Sequence, residues 1–188
     1  MKIITLIFTL TSFLIFGQKK YIKQIDSLKY VVDMPYSCQN GLYPFGPNSI
    51  RMQGCGDKIF WNIVKSKDSV INLLINKLDD PKKTKAVVPN IGDEYAVADI
   101  AFEVLKEIIH SLPEGDYFIK EKKEREYGYW KYVRKNNINR KKFKIAVRKW
   151  YEENKAKLVW IISDSQFRTG EMGKFIHPNG GHYELKNL

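Results

Sequence analysis

Residues 95–113 read YAVADIAFEVLKEIIHSLP, and this stretch limits the fold more firmly than any other in the chain. Ala96, Val97, Ile100, Ala101, Val104, Leu105, Ile108 and Ile109 recur at three- and four-residue steps, which lines them up on one stripe of an α-helix. Asp99, Glu103, Lys106 and Glu107 fall on the other side and are expected to face solvent. Pro113 stops the helix, and His110 sits in the last turn, where an exposed imidazole suits the negative end of the helix dipole. A stripe this wide needs other helices or a sheet to cover it.

Helical partners are legible on both sides. Ile22, Ile25, Leu28 and Val32 predict a helix over 19–33, ended by Met34-Pro35. Asp57 is placed to cap a helix carrying Ile59, Phe60, Ile63 and Val64. The polar KSKDS that follows predicts a short turn, with Asp68 or Ser69 capping a further helix that carries Val70, Ile71, Leu74, Ile75 and Leu78 and ends at Asp79-Asp80-Pro81. Residues 82–94 read as a basic connection followed by a turn. A last helix is expected from about Arg140 to Lys155, with Phe143, Ala146, Val147, Trp150 and Tyr151 inward. The period then changes: LVWII (158–162) is rich in β-formers and GHYEL (181–185) alternates, so a small C-terminal hairpin or two short strands are expected. The fold class is mainly α, with about five helices packed as helical hairpins.

The first seventeen residues have the form of a secretory signal. A short positive start at Met1-Lys2 precedes the apolar run Ile3–Phe16, and Gly17 stands before Gln18-Lys19-Lys20. The run has 14 residues, short of the roughly 20 that a membrane-spanning helix needs. The expected product is an exported chain, periplasmic or secreted, beginning near Gln18 and forming one domain over 18–188. Export changes the meaning of Cys38 and Cys55, the only cysteines, which lie near the two ends of a loop (35–56) holding three Pro and four Gly. In an oxidising compartment the pair is expected to be a disulfide, contributing about 3 kcal/mol by restricting the unfolded chain.

Charge is concentrated. Residues 120–149 carry thirteen Lys/Arg against three Glu, ten of the chain's net +11. Tyr127, Tyr129, Trp130, Tyr132, Phe143 and Trp150 are interleaved with these cations. Aromatics among cations can stack on bases or sugars, or fill a helix core. The expected binding residues for an anionic partner are Lys131, Arg134, Lys135, Arg140, Lys141 and Lys142, with Trp130. Export makes nucleic acid an unexpected partner, which leaves an anionic envelope polymer or an acidic protein surface.

Two of the three histidines stand in HPNGGHYEL, residues 177–185. Asn179-Gly180 suits a two-residue hairpin turn, which would set His177 and His182 across two strands. The same pair could ligate zinc if Asp164, Glu171 or Glu184 supplied a third donor. No GxSxG elbow, HExxH, P-loop or Rossmann glycine pattern occurs. The residues therefore imply no cofactor and name no catalytic group. The leading expectation is a non-enzymatic binding domain. The alternatives are a metal-dependent envelope hydrolase using His177 and His182, and an immunity or inhibitor protein against a secreted toxin.

SVINLLINKLDDP, with Leu followed by Asp-Asp-Pro, resembles the second helix of a HEAT or armadillo unit. DEYAVADIAFEVLKEI is similar to the start of the next unit, with Val97, Ala101, Val104 and Leu105 as packing positions. The resemblance covers about residues 69–110 and implies a scaffold of stacked helices that binds macromolecules. The whole chain also resembles small exported bacterial proteins with one disulfide and a Trp-rich second half.

Overall fold

A computed structural model describes residues 19–35, 56–88, 92–126, 128–162 and 180–186. The signal segment, the Cys38–Cys55 loop and His177 lie outside the described residues. The fold is mainly α: among the described residues, seven helices pack with two small antiparallel hairpins. No described helix is long and apolar enough to cross a membrane.

Helix α1 (19–26) tightens into a 3-10 turn at Ser27–Tyr30 and then becomes extended. Ile25, Leu28, Val31 and Met34 are buried, one in every three. A 3-10 turn has three residues per turn, and the chain beyond it is no longer helical, so the inner face leaves the α spacing. That corrects the expected helix over 19–33: Ile22 and Val32 are 45% and 52% exposed.

Helix α2 (Lys58–Val64) starts at Asp57, whose Oδ1 accepts from the Ile59 N–H at 2.7 Å. Asp57 Oδ2 also accepts from Val32 N at 3.2 Å, which fastens the segment after α1 to the start of α2. A 3-10 turn at Lys67–Val70 runs directly into α3 (Ile71–Lys77). The expected cap at Asp68 or Ser69 does not form. The turn's own carbonyls serve the first α3 donors, as in the bond from Ile71 N to Asp68 O.

The basic connection is in fact a hairpin, β1 (Lys83–Val87) with β2 (Glu94–Ala96). Its period of two is plain once placed, with Thr84 and Ala86 inward and Lys83, Lys85 and Val87 outward. Helix α4 (Val97–Ile108) follows β2 without a break. Ala96 has no side-chain acceptor, so only one arm of a capping box exists: Asp99 Oδ2 accepts from Ala96 N at 2.9 Å.

Helix α4 is the centre of the fold. Its apolar stripe packs on α2 and α3, as expected. Its acidic side does not face solvent: Asp99 and Glu107 are 0% and 1% exposed. Much of the covering layer comes from the basic segment, which forms α5 (Lys122–Arg125), α6 (Gly128–Lys135) and α7 (Asn137–Asn154). Asn136 caps α7 by accepting from Asn139 N at 2.8 Å, which starts that helix three residues before Arg140. Phe102, Phe118, Tyr129 and Phe143 interlock between these layers, with ring centroids 4.9–6.3 Å apart.

The C-terminal strands pair as expected, β3 (Leu158–Ile162) with β4 (Gly181–Leu185) in an unbroken ladder. The cross-strand partner of His182 is Ile161. The other edge of β4 meets the end of α4 through a parallel bridge between Ile109 and Tyr183.

Candidate functional site

The basic segment divides by residue type. All four of its arginines are used inside the molecule. Arg140 is 4% exposed and binds Asp99 Oδ1 at 2.8 Å. Arg134 pairs with Asp93, donates to Glu94 O at 2.9 Å and lies 3.6 Å from Asp99 Oδ2. Arg125 donates twice to Ile119 O, and Arg148 reaches Asn72 and Asn76 on α3. Lys144 joins this group, bonding Asn76 O and Asp79 at 2.9 Å each. Guanidinium suits such work because several donors leave one planar group and its hydration is weak. The other eight lysines, at 120, 122, 123, 131, 135, 141, 142 and 149, are all exposed.

The expected anion-binding residues therefore separate. Arg140 is no surface cation, because its anion is Asp99. Arg134 is largely covered, and burial, followed by the nearby Arg140 charge, lowers its pKa. Trp130 is packed edge-to-face on Tyr95 at 5.3 Å and lies under the Arg134 guanidinium at 5.4 Å. Lys131, Lys135, Lys141 and Lys142 remain outward, with Lys135 and Lys142 in loose pairs to Glu124 and Glu121. Asp99 is the hub that the sequence did not reveal. Besides both arginines it receives a hydrogen bond from Tyr129, whose phenol is pushed well up by burial first and by the Asp99 charge second.

Between the 3-10 turn Gly115–Phe118 and α7 lies a cleft of about 490 Å³. Phe118, Tyr132 and Trp150 are buried residues that form its floor, while Tyr117 and Ile145 stand 64% and 68% exposed at its edge. Lys120, Lys142 and Lys149 line it together with Glu121 and Glu153. Lys142 is the one residue of the expected set found there.

A second feature is centred on histidines. His182 is stacked on His110, with centroids 3.6 Å apart and planes at 16°. His182 Nε2 also lies 2.8 Å from Glu184 Oε1. Glu184 was among the expected third donors, and its place two residues along β4 puts it on the same face as His182. His110, exposed at the helix end as expected, is the partner that sequence reasoning missed. Helix α4 and β4 are remote in sequence and only their docking joins the rings. Beside His110 opens a cavity of about 580 Å³ lined by Tyr95, Glu103, Lys106, Glu107, Leu112 and Glu114. Burial, only partly offset by Lys106, raises the Glu103 carboxyl to about 7. No known protein family, curated protein or solved structure matches the chain.

Proposed function

We propose that this is a binding domain, without catalytic activity of its own, that docks an acidic segment of another protein on the cleft between the Gly115–Phe118 turn and α7. The observation that carries the reading is the division of the basic segment. Its arginines bond within the fold, while eight of its lysines are exposed, and three of these, Lys120, Lys142 and Lys149, line a cleft with an apolar floor. Burying Trp150 and Phe118 at the floor leaves Tyr117 and Ile145 available to an apolar side chain, and Lys120, Lys142 and Lys149 can meet flanking carboxylates. The likeness to helical-hairpin scaffolds also favours a binding role. Export past the signal segment, with Cys38 joined to Cys55, is part of this proposal and makes an extracytoplasmic protein the partner.

The probe is a fluorescent random copolymer of glutamate and tyrosine, followed by anisotropy. Affinity is expected to fall as salt rises from about 50 to about 300 mM, because the screening length shrinks across that range. Lys120→Glu, Lys142→Glu and Lys149→Glu combined should abolish binding, and Tyr117→Ala should weaken it. Salt-independent binding, or full binding by the triple variant, would remove the charge mechanism. Equal binding of dextran sulfate would shift the reading to an anionic envelope polymer.

A further inference from the structure

Independently of the cleft, we propose that His110, His182 and Glu184 form a divalent transition-metal site, with zinc the best chemical match and one coordination position left to solvent. One donor atom from each of the three residues lies within 4.8 Å of the others. Two imidazoles and a carboxylate suit zinc and its neighbours better than magnesium or calcium, which prefer all-oxygen shells.

The backbone beneath the donors is fixed. His110 N donates to Tyr183 O at 3.0 Å, and Leu185 N donates to Ser111 Oγ at 3.0 Å. These bonds clamp β4 to the end of α4 at Tyr183 and Leu185, on either side of Glu184. The five-pair ladder with β3 holds the strand from its other edge. His182 and Glu184 therefore arrive from one rigid strand and His110 from the terminus of the central helix. The backbone that carries the set is thus ordered before any ion arrives.

Ligand atoms about 2.0–2.1 Å from a tetrahedral ion stand about 3.4 Å apart. The site requires side-chain rotation to bring donors that already lie within 4.8 Å of one another to that spacing. Two parallel rings cannot both hold one ion in plane, so the exposed His110 ring must turn about χ2, a torsion with a broad and shallow profile. The His182–Glu184 contact then exchanges for two bonds to the ion. Three protein ligands leave a fourth position for water, and the cavity beside His110 gives solvent a route to it.

Calorimetric titration of the untagged chain with Zn²⁺ tests the site, and Co²⁺ in its place reports coordination by visible absorption. The expected result is one ion per chain. His110→Ala, His182→Gln and Glu184→Gln should each weaken binding by about tenfold or more. His177→Ala should bind like the unaltered chain. Circular dichroism melts without metal verify that each variant is folded, and His110→Ala is the decisive one because that side chain is exposed. Wild-type affinity in a folded His110→Ala variant would overturn the site, as would absence of binding by the unaltered chain. Loss confined to His177→Ala would overturn it in favour of the turn at Asn179-Gly180. None of these outcomes depends on the cleft, so the binding-domain reading can fail while this one stands.

Discussion

Arg140→Met tests the proposition that the basic segment is first of all a structural clamp. The substitution keeps most of the aliphatic stem, so packing changes little, and removes the guanidinium that lies 2.8 Å from Asp99. Asp99 is fully buried and cannot be rehydrated without opening α4 from α7. Leaving one member of a buried pair without its partner costs about 3–5 kcal/mol. Arg134 remains 3.6 Å from the other Asp99 oxygen and Ala96 N still donates to it, which places this case at the lower end, about 3 kcal/mol. For a domain of this size that amounts to a fall of about 6–12 °C in melting temperature. Asp99→Asn added to Arg140→Met removes the stranded charge while an amide oxygen can still accept from Ala96 N. The double variant should therefore regain about 1–2 kcal/mol over Arg140→Met alone. Thermal and urea melts followed by circular dichroism measure all three proteins, with Lys141→Met as the exposed neighbour, expected within about 0.5 kcal/mol of the parent. A folded Arg140→Met protein as stable as Lys141→Met would refute the clamp, and so would strict additivity of the two substitutions.

Glu103 gives a pH test. Its folded pKa of about 7 lies above the ordinary carboxylate value, chiefly through burial, so the folded state holds a proton that the unfolded chain releases. Its stabilising contribution is complete below the ordinary value of 4.5 and is lost as pH rises towards 7, by about 3 kcal/mol at most. Glu103→Gln should flatten the decline in stability between those limits, and an unchanged slope in urea melts would show that the carboxyl is better solvated than its position implies. Gly115→Ala should cost about 1–3 kcal/mol by overpacking. A methyl there would stand 2.5 Å from the Tyr129 ring, which Phe102, Trp130 and Phe143 prevent from retreating. An unaltered urea midpoint would contradict that confinement.

How much of this was legible depends on whether the signal was local. The apolar stripes of α2, α3, α4 and α7 belong to single helices, and their spacing alone located them. The change of period at 158–162 and 181–185 marked the C-terminal strands for the same reason. Reading failed where the backbone left its standard period, as after the 3-10 turn Ser27–Tyr30, where the buried face keeps Leu28 but continues on Val31 and Met34 instead of Val32. It failed again at β1, where lysines at 83 and 85 looked like a charged connection although they alternate with the inward Thr84 and Ala86. Helices α5 and α6 were hidden by charge in the same way.

The acidic side of α4 shows why the site was harder to see than the fold. Asp99, Glu103 and Glu107 have the pattern of a solvated face, and periodicity cannot distinguish water from a second layer of protein. A clue was present in the kind of cation. An exposed basic patch has little need to choose between lysine and arginine, whereas a buried carboxylate favours the planar, multiply donating guanidinium. Arg134 and Arg140 turn inward onto Asp99, while Arg125 and Arg148 bond the Ile119 carbonyl and the Asn72 and Asn76 amides nearer the surface. The exposed lysines mark the outer face. The histidines had no comparable clue, because His110 and His182 are 72 residues apart and their types alone cannot reveal docking of β4 on α4. What joins them is the bridge from Ile109 to Tyr183, a backbone contact that fixes which side chains meet above it. A perturbation of β4 pairing, such as Gly181→Val against the Ile161 carbonyl, should therefore separate the rings while leaving the α4 clamp to Arg140 intact.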